Sequence, residues 1–218
     1  MKHQTIAIID FETTGFKGRE DDIIEIGALI FSTSDFEIIN TYQTFIKRDE
    51  PLPQKIIEIT HITDGMLKAN GIARVDAAQQ LFQFIPEDAV ICGYNIMFDL
   101  SFYETLIKKY VKTEYSIQHD VLDVLTIFRD LTTTSHKLSD AVDYYQVTTP
   151  NTHRALDDVI ATFEVLKKMH TENVHIIETY QNIIGYPPFR TYYGLKLPHV
   201  KYLPQRSGMK DLMLISKL

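Results

Sequence analysis

Apolar positions along the chain fall into runs whose spacing changes from one segment to the next. Thr5-Ile6-Ala7-Ile8-Ile9 is almost continuously apolar and β-rich, so Ile6–Ile9 is expected to be a strand covered on both faces. Ile23–Phe31 reads as a second strand, Ser32–Asp35 as turn chemistry and Phe36–Ile46 as a returning third strand, which together make an antiparallel meander. Pro53–Ile59 is expected to start a short helix. Asp76–Ile85 follows as a helix and Ala89–Cys92 as a fourth strand. Helical spacing then predicts Asp99–Val111, with Leu100, Tyr103, Leu106, Ile107 and Tyr110 on one face. Val121–Leu131, Leu138–Tyr145 and His153–Met169 are expected to be further helices, the last with a stripe of Leu156, Val159, Ile160, Phe163 and Leu166. Thr171–Ile184 is expected to continue as helix after a break near Asn173. Pro187, Pro188, Pro198 and Pro204, with Gly185, Gly194 and Gly208, forbid a long helix beyond that point. Residues 186–218 therefore read as an extended, partly ordered C-terminal extension to a body at 1–185. Strands first, then strand and helices in alternation, predict the α/β class, a mixed β-sheet flanked by α-helices.

Composition narrows the class. The chain has 218 residues, 44% hydrophobic and 23% charged, enough for one domain with an appendage. No apolar run is long enough for a membrane span. Met1-Lys2-His3-Gln4 leads into the first strand without a cleavage-site pattern, so the cytoplasm is the expected compartment. Cys92 is the sole cysteine, which excludes an intramolecular disulfide and a cysteine-rich zinc site. Its apolar setting predicts a buried, inert thiol. The net charge of −7 is uneven: Arg190, Lys196, Lys201, Arg206, Lys210 and Lys217 against Asp211 make the extension +5 and leave −12 on the body. Such a body argues against a nucleic-acid partner unless its acids hold metal. Two bound dications would add about +4 where a phosphate must approach.

The acids that matter are grouped. Asp10 and Glu12 stand two apart at the end of the first strand, so both project from one face. Adjacent carboxylates repel and tend to keep their protons unless a cation lies between them. A lone D-x-E is weak, but more acids follow. Gly93-Tyr94-Asn95-Ile96-Met97-Phe98-Asp99 sets Asp99 at a helix start just past a strand end, where helix capping is the plain alternative. His153-Arg154-Ala155-Leu156-Asp157-Asp158 opens the last strong helix, where the helix dipole alone favours acids. Asp157 and Asp158 lie about equally far from the apolar stripe, so periodicity does not choose between them.

The segments Asp10–Phe16 (D-x-E-T-T-G-F), Asn95–Asp99 and His153-x4-Asp158 occur in an order and spacing that resemble the DnaQ-like 3′–5′ exonucleases of the DEDDh (His) branch. The exonuclease domain of the DNA polymerase III epsilon subunit is of this kind. The resemblance covers roughly residues 5–170, with Thr60-His61-Ile62-Thr63, Met66-Leu67 and Asp123-Val124-Leu125 matching further family segments. It implies a ribonuclease H-like fold. It also implies metal ligands at Asp10, Glu12, Asp99 and Asp158, and catalytic work shared by these four with His153 as general base. Histidine suits that task because its ordinary pKa is about 6.5. The implied cofactors are two Mg²⁺ or Mn²⁺ ions about 4 Å apart, clamping the attacking and leaving oxygens. Asp10 would bridge both ions, Glu12 and Asp158 would complete the site of the attacking water, and Asp99 would support the other ion. The family spacing chooses Asp158 over Asp157, and Arg154 stands where a sister branch carries Tyr. For substrate, the resemblance implies the backbone near Thr13 at the terminal 3′-hydroxyl, close approach at Gly15, and Phe16 wedged against the last base. Asn95 would position Asp99 or a phosphate. The alternative for Phe16 is an ordinary core aromatic. Three positions depart from the pattern: Tyr94 for a common His, His61 for a usual Gly, and the extra acid Asp157.

The expected partner is therefore a single-stranded DNA 3′ end, cut to nucleoside 5′-monophosphates in proofreading or repair, with no membrane. An RNA-trimming relative differs only in 2′-hydroxyl discrimination. A non-catalytic end-binding module predicts loss of a ligand, and all are present. A P-loop NTPase is excluded, since no G-x4-G-K-[ST] occurs. Gln80-Leu81-Phe82 loosely matches a clamp-binding peptide for a replication or repair protein, but its helical setting favours a core role. The basic extension is expected to guide nucleic acid, to bind a protein, or simply to pack.

Overall fold

The chain's central strand is β1, Thr5–Thr13, and the rest of the main sheet is built outward from it. This computed structural model describes residues 3–149 and 153–215; Met1-Lys2, residues 150–152 and residues 216–218, with Lys217 of the basic extension, lie outside the described residues. β2 (Ile23–Ser32) pairs antiparallel with β1, and β3 (Ile38–Phe45) antiparallel with β2. On the other side β4 (Val90–Gly93) and β5 (Val121–Asp123) add in parallel, giving the order β3-β2-β1-β4-β5. The helices are α1 (Gln54–Thr60), α2 (Asp64–Asn70), α3 (Arg74–Phe84), α4 (Ile96–Tyr110), α5 (Val124–Leu131), α6 (Leu138–Tyr144), α7 (Ala155–Glu172) and α8 (Ile176–Tyr180). β6 (Ile183–Tyr186), β7 (Lys201–Pro204) and α9 (Asp211–Ile215) follow.

Alternation along β1 sorts its side chains onto two cores. Ala7, Ile9 and Phe11 pack with α3 and α4. Ile6 and Ile8 face the other way, with α5, α6, α7 and α8. Asp10 and Glu12 share the parity of Ile6 and Ile8, so they emerge on the α7 face. The start of α7 comes very close to the sheet there. A Cβ on Gly27, the β2 partner of Asp10, would lie 2.3 Å from the Ala155 carbonyl carbon. Only glycine leaves room for that approach.

Several expectations are corrected. The Val121–Leu131 segment is not one helix: Val121–Asp123 pairs in parallel with β4, and Asp123 then caps α5 through the Thr126 N–H at 3.1 Å. Asn182 closes the outer edge of that short strand, accepting from Val121 N at 2.8 Å and donating its own N–H to Val121 O at 2.7 Å. Thr171–Ile184 is helical only through Glu172 and again at Ile176–Tyr180; Asn182, at φ 60°, then turns the chain into β6. α7 begins at Ala155, because His153 takes φ 54° and Arg154 is extended. α4 begins at Ile96, three residues before the expected start, and α2 is an additional helix capped by the Thr63 hydroxyl.

The C-terminal extension is packed rather than merely extended. β7 pairs in parallel with β6, so the expected boundary between 185 and 186 runs through a strand. Leu197 and Val200 join the α3/α4 core and Leu212 the opposite one. The buried Asp130 carboxylate accepts from Tyr180 Oη at 2.6 Å and from the backbone N–H groups of Leu212 and Met213 at 3.3 and 3.1 Å. Cys92 is buried, as expected. Leu81 is fully buried and Gln80 accepts from Tyr42 Oη, so that stretch serves the core. Among the described residues no helix is long and apolar enough to cross a membrane.

Gly27→Ala is expected to destabilise the fold by about 1–3 kcal/mol, because a methyl group must push α7 away from β2. Urea unfolding checks this, and an unchanged midpoint would contradict the close approach.

Candidate active site

The site is assembled from three chain segments that end at one edge of the sheet. Asp10 and Glu12, half-buried, sit on β1 just before a register shift at Glu12/Thr13. Asp99 stands in the first turn of α4 and is 2% exposed. It is not a cap: its Oδ1 accepts the Phe11 backbone N–H of β1 at 3.0 Å, tying helix to strand. The start of α4 is instead held by Asp123, whose Oδ1 accepts from Asn95 N at 2.8 Å and Ile96 N at 3.1 Å. Asp123 thereby anchors two helices with one carboxylate. Asn95 adopts φ 67°, its side chain makes no capping bond, and it is exposed.

The third segment brings Asp158 and His153. Asp158 is buried on α7, whereas Asp157 beside it is half-exposed. Ligand-capable atoms of Glu12, His153 and Asp158 lie within 4.8 Å of one another, with His153 exposed at the rim. The structure thus groups Asp158, and not Asp157, with the histidine and the first-strand acid.

Electrostatics show the cost of this crowding. Burial raises the Asp10 carboxyl well above its usual range, and the charges of Asp99, Asp158, Glu12 and Glu25 push it further. Burial, then Asp158 and Glu25, push Glu12 up to about 8, with Arg154 opposing. Asp99 is raised by burial and by Glu12, against the hydrogen bond from Phe11. Carboxyls held this high lack a counter-charge.

Residues that sequence reasoning passed over hold the site together. Glu25 is fully buried in β2, opposite Glu12. Its oxygens accept from Arg154 Nη2 at 2.8 Å, Arg154 Nε at 3.1 Å, Ala155 N at 3.2 Å and Gln43 Nε2 at 2.8 Å. The Arg154 guanidinium also lies 5.1 Å over the Phe45 ring. This pair nails the first residues of α7 to β2. The signal was a lone acid inside Ile23-Ile24-Glu25-Ile26, since a charge in a covered strand requires a partner.

The expected substrate residues fall as follows. Thr13 is buried and its hydroxyl donates to Gly15 O at 2.7 Å. A Cβ on Gly15 would meet the Asp21 carboxyl at 2.5 Å, so the turn is packed shut there. Phe16 is 89% exposed, which removes the core alternative, and its ring meets Phe98 edge-on at 6.5 Å. Tyr94 donates to the backbone carbonyls of His136 and Lys137 at 3.1 and 3.0 Å. His61 ends α1 at φ 56°, a left-handed position that glycine ordinarily fills.

A mixed five-stranded sheet flanked by helices, with clustered acids at one end of β1, defines a protein of ribonuclease H-like fold. The family model RNase_T, described as Exonuclease, matches residues 7–166, and the chain belongs to this DnaQ-like exonuclease family. It is 33% identical over 179 residues to a "DNA polymerase III PolC-type" of Clostridium perfringens, covering 79% of this chain and 12% of that protein. It is also 33% identical over 167 residues to "3'-5' exonuclease DinG" of Staphylococcus aureus, covering 74% and 18%. The chain thus spans less than a fifth of the length of these relatives. E. coli Exonuclease I in complex with a dA16 oligonucleotide shares the fold at a TM-score of 0.71 and 22% identity, over 80% of this chain and 42% of that one. The zinc-bound form of its single-stranded DNA complex aligns at 0.71 and 22%, over 81% and 42%.

A pH dependence follows from Glu12. Its folded-state pKa of about 8 lies above the ordinary 4.5. Below the ordinary value both states are protonated and nothing is lost. As pH rises from there to about 8 the unfolded chain ionises first, so the metal-free fold loses stability across this window and no further above it. Glu12→Gln is therefore expected to melt increasingly above wild type between pH 5 and 8 in chelator. A melting-temperature difference that stays constant over this range would contradict the crowding.

Proposed function

We propose that this chain is a divalent-metal-dependent 3′–5′ exonuclease acting on single-stranded nucleic-acid ends, with DNA favoured, and releasing nucleoside 5′-monophosphates. The observation that carries the reading is the convergence of Glu12, His153 and Asp158 within 4.8 Å, beside Asp10 and the strand-tethered Asp99. The name of the PolC-type relative supports DNA over RNA and a link to DNA polymerisation, and that of the DinG relative supports the 3′–5′ direction. The single strand held by the structural relative supports the substrate class. An RNA-trimming activity of the same site is the second reading, separated by the substrate arms of the test below. In this reading the main sheet and its helices carry the chemistry, and the segment beyond β6 packs on them as an extension.

The residues fit a metal centre. Four carboxylates, with proton affinity raised at Asp10, Glu12 and Asp99, form an oxygen donor set for hard cations, Mg²⁺ or Mn²⁺, and leave the one imidazole free of ligand duty. Asp10, Glu12, Asp99 and Asp158 would hold two such ions, which supply positive charge and Lewis acidity toward the scissile phosphate when bound. His153, exposed at the rim and on a backbone already turned to φ 54°, takes the proton of the attacking water. With that role at His153, the chain would be of the His branch of the family. Phe16, backed by Phe98, offers a face to the terminal base. Thr13 and Gly15 shape the turn that meets the terminal sugar, and Asn95, with the Asp123-held backbone, faces the phosphate.

Two variants test these roles on oligomers labelled at either end, DNA beside RNA, with Mg²⁺, Mn²⁺ or chelator. Asp10→Asn is expected to abolish metal-dependent mononucleotide release from the 3′ end, and full retained activity would sink the assignment. His153→Ala is expected to lower kcat by about 100-fold or more with little change in KM. Weakened binding with unchanged turnover would show that His153 is not the base.

A further inference from the structure

The C-terminal extension builds a groove that the site chemistry does not account for. It has a volume of about 520 Å³ and lies between α5 and the strand pair β6-β7. Arg129 and His136 line it from the body, and Phe189, Arg190, Gln205 and Arg206 from the extension. No acidic side chain lines it, although the whole chain carries a net charge of −7.

Its cations are of two kinds. Arg129 and Arg206 are fixed: Arg129 Nη1 donates to Gly185 O at 3.0 Å, and Arg206 is forked onto Asp211 at 3.1 and 3.2 Å. Arg190 is exposed, and its guanidinium has no hydrogen bond or ion pair among the described residues. Phe189 beside it is 99% exposed. An unpaired guanidinium next to a bare aromatic ring suits a phosphodiester with an unstacked base. An apolar partner would leave Arg190 unmatched.

One hydrogen-bonded link runs from the groove wall to the second motif. Tyr94, the residue before Asn95, donates to the carbonyls of His136 and Lys137. His136 is thus a groove wall reached in one hydrogen bond from the second motif.

We propose that the groove binds single-stranded nucleic acid upstream of the terminal nucleotide, with a phosphate at Arg190 and a base against Phe189. The proposal rests on the exonuclease reading for the strand's direction, but binding itself does not need turnover. The test compares the full chain with a Phe189→Ala/Arg190→Glu double variant, both side chains being exposed and so dispensable for folding. The probe is a fluorescent oligothymidylate of about twenty nucleotides, followed by anisotropy in chelator over a salt series and then by hydrolysis with Mn²⁺. A p-nitrophenyl ester of thymidine 5′-monophosphate, too short to reach the groove, serves as the second substrate.

The expected result is a Kd and KM for the oligomer about tenfold higher in the variant. The log–log salt slope should be shallower by about 0.7 for each phosphate that the variant no longer neutralises, and the ester should be cleaved at the wild-type rate. Equal oligomer affinity and salt slope in the two proteins would overturn the proposal. So would unchanged oligomer binding with weakened affinity for an oligoglutamate peptide, which would give the groove to an acidic protein. If wild type cleaves neither substrate, the exonuclease reading fails while the anisotropy still decides the groove.

Discussion

The ion pair between Glu25 and Arg154 is the contact on which the candidate site depends. Glu25 is completely buried, so its charge has no stabilisation except what Arg154, Ala155 N–H and Gln43 provide. Satisfying it pins the start of α7 to β2, and Gly27 lets the helix come close enough for those bonds to form. Glu25 stands opposite Glu12, so the same bonds that bury one acid deliver Asp158 and His153 to the other. Arg154 also reaches Glu12 electrostatically and opposes its protonation. Structure and site are therefore coupled through one guanidinium.

A second carboxylate does the corresponding work on the other side. Asp123 ends β5, caps α5 and holds the first N–H groups of α4. α4 can then present Asp99 to the Phe11 N–H. The acids that are spent on anchoring the helices differ from the crowded pair on β1. The difference is visible in what each accepts: Glu25 and Asp123 are surrounded by donors, while Asp10 and Glu12 are surrounded by other acids.

Much of this was legible in the sequence. Continuous apolar runs marked the strands Ile6–Ile9, Ile23–Phe31 and Ala89–Cys92, and the order of Asp10, Glu12, Asp99, His153 and Asp158 already pointed to one site. What failed did so for identifiable reasons. Val121-Leu122-Asp123 is too short and apolar to be told from a helix start, and its strand character comes from β4 and Asn182, which are remote in sequence. The extension's prolines and glycines read as an extended, partly ordered segment, yet β6 pairs in parallel with β7 across them. The choice between Asp157 and Asp158 was closed to periodicity and came only from the family spacing; in the fold the start of α7 is held by Glu25, 129 residues earlier than Arg154. Phe16, by contrast, lies on the surface beside Phe98, as its wedge reading required and its core alternative did not.

Crowded carboxylates of this kind should form a cation site that gives up protons when filled, and on this the whole reading turns. Calorimetric titration of the metal-free chain with Mn²⁺ near pH 7, repeated in buffers of different ionisation enthalpy, tests it directly. The predicted result is saturable binding of two ions accompanied by release of about one proton or more, with both the binding and the release abolished in Asp158→Asn. Binding that releases no protons, or that survives that substitution unchanged, would contradict it.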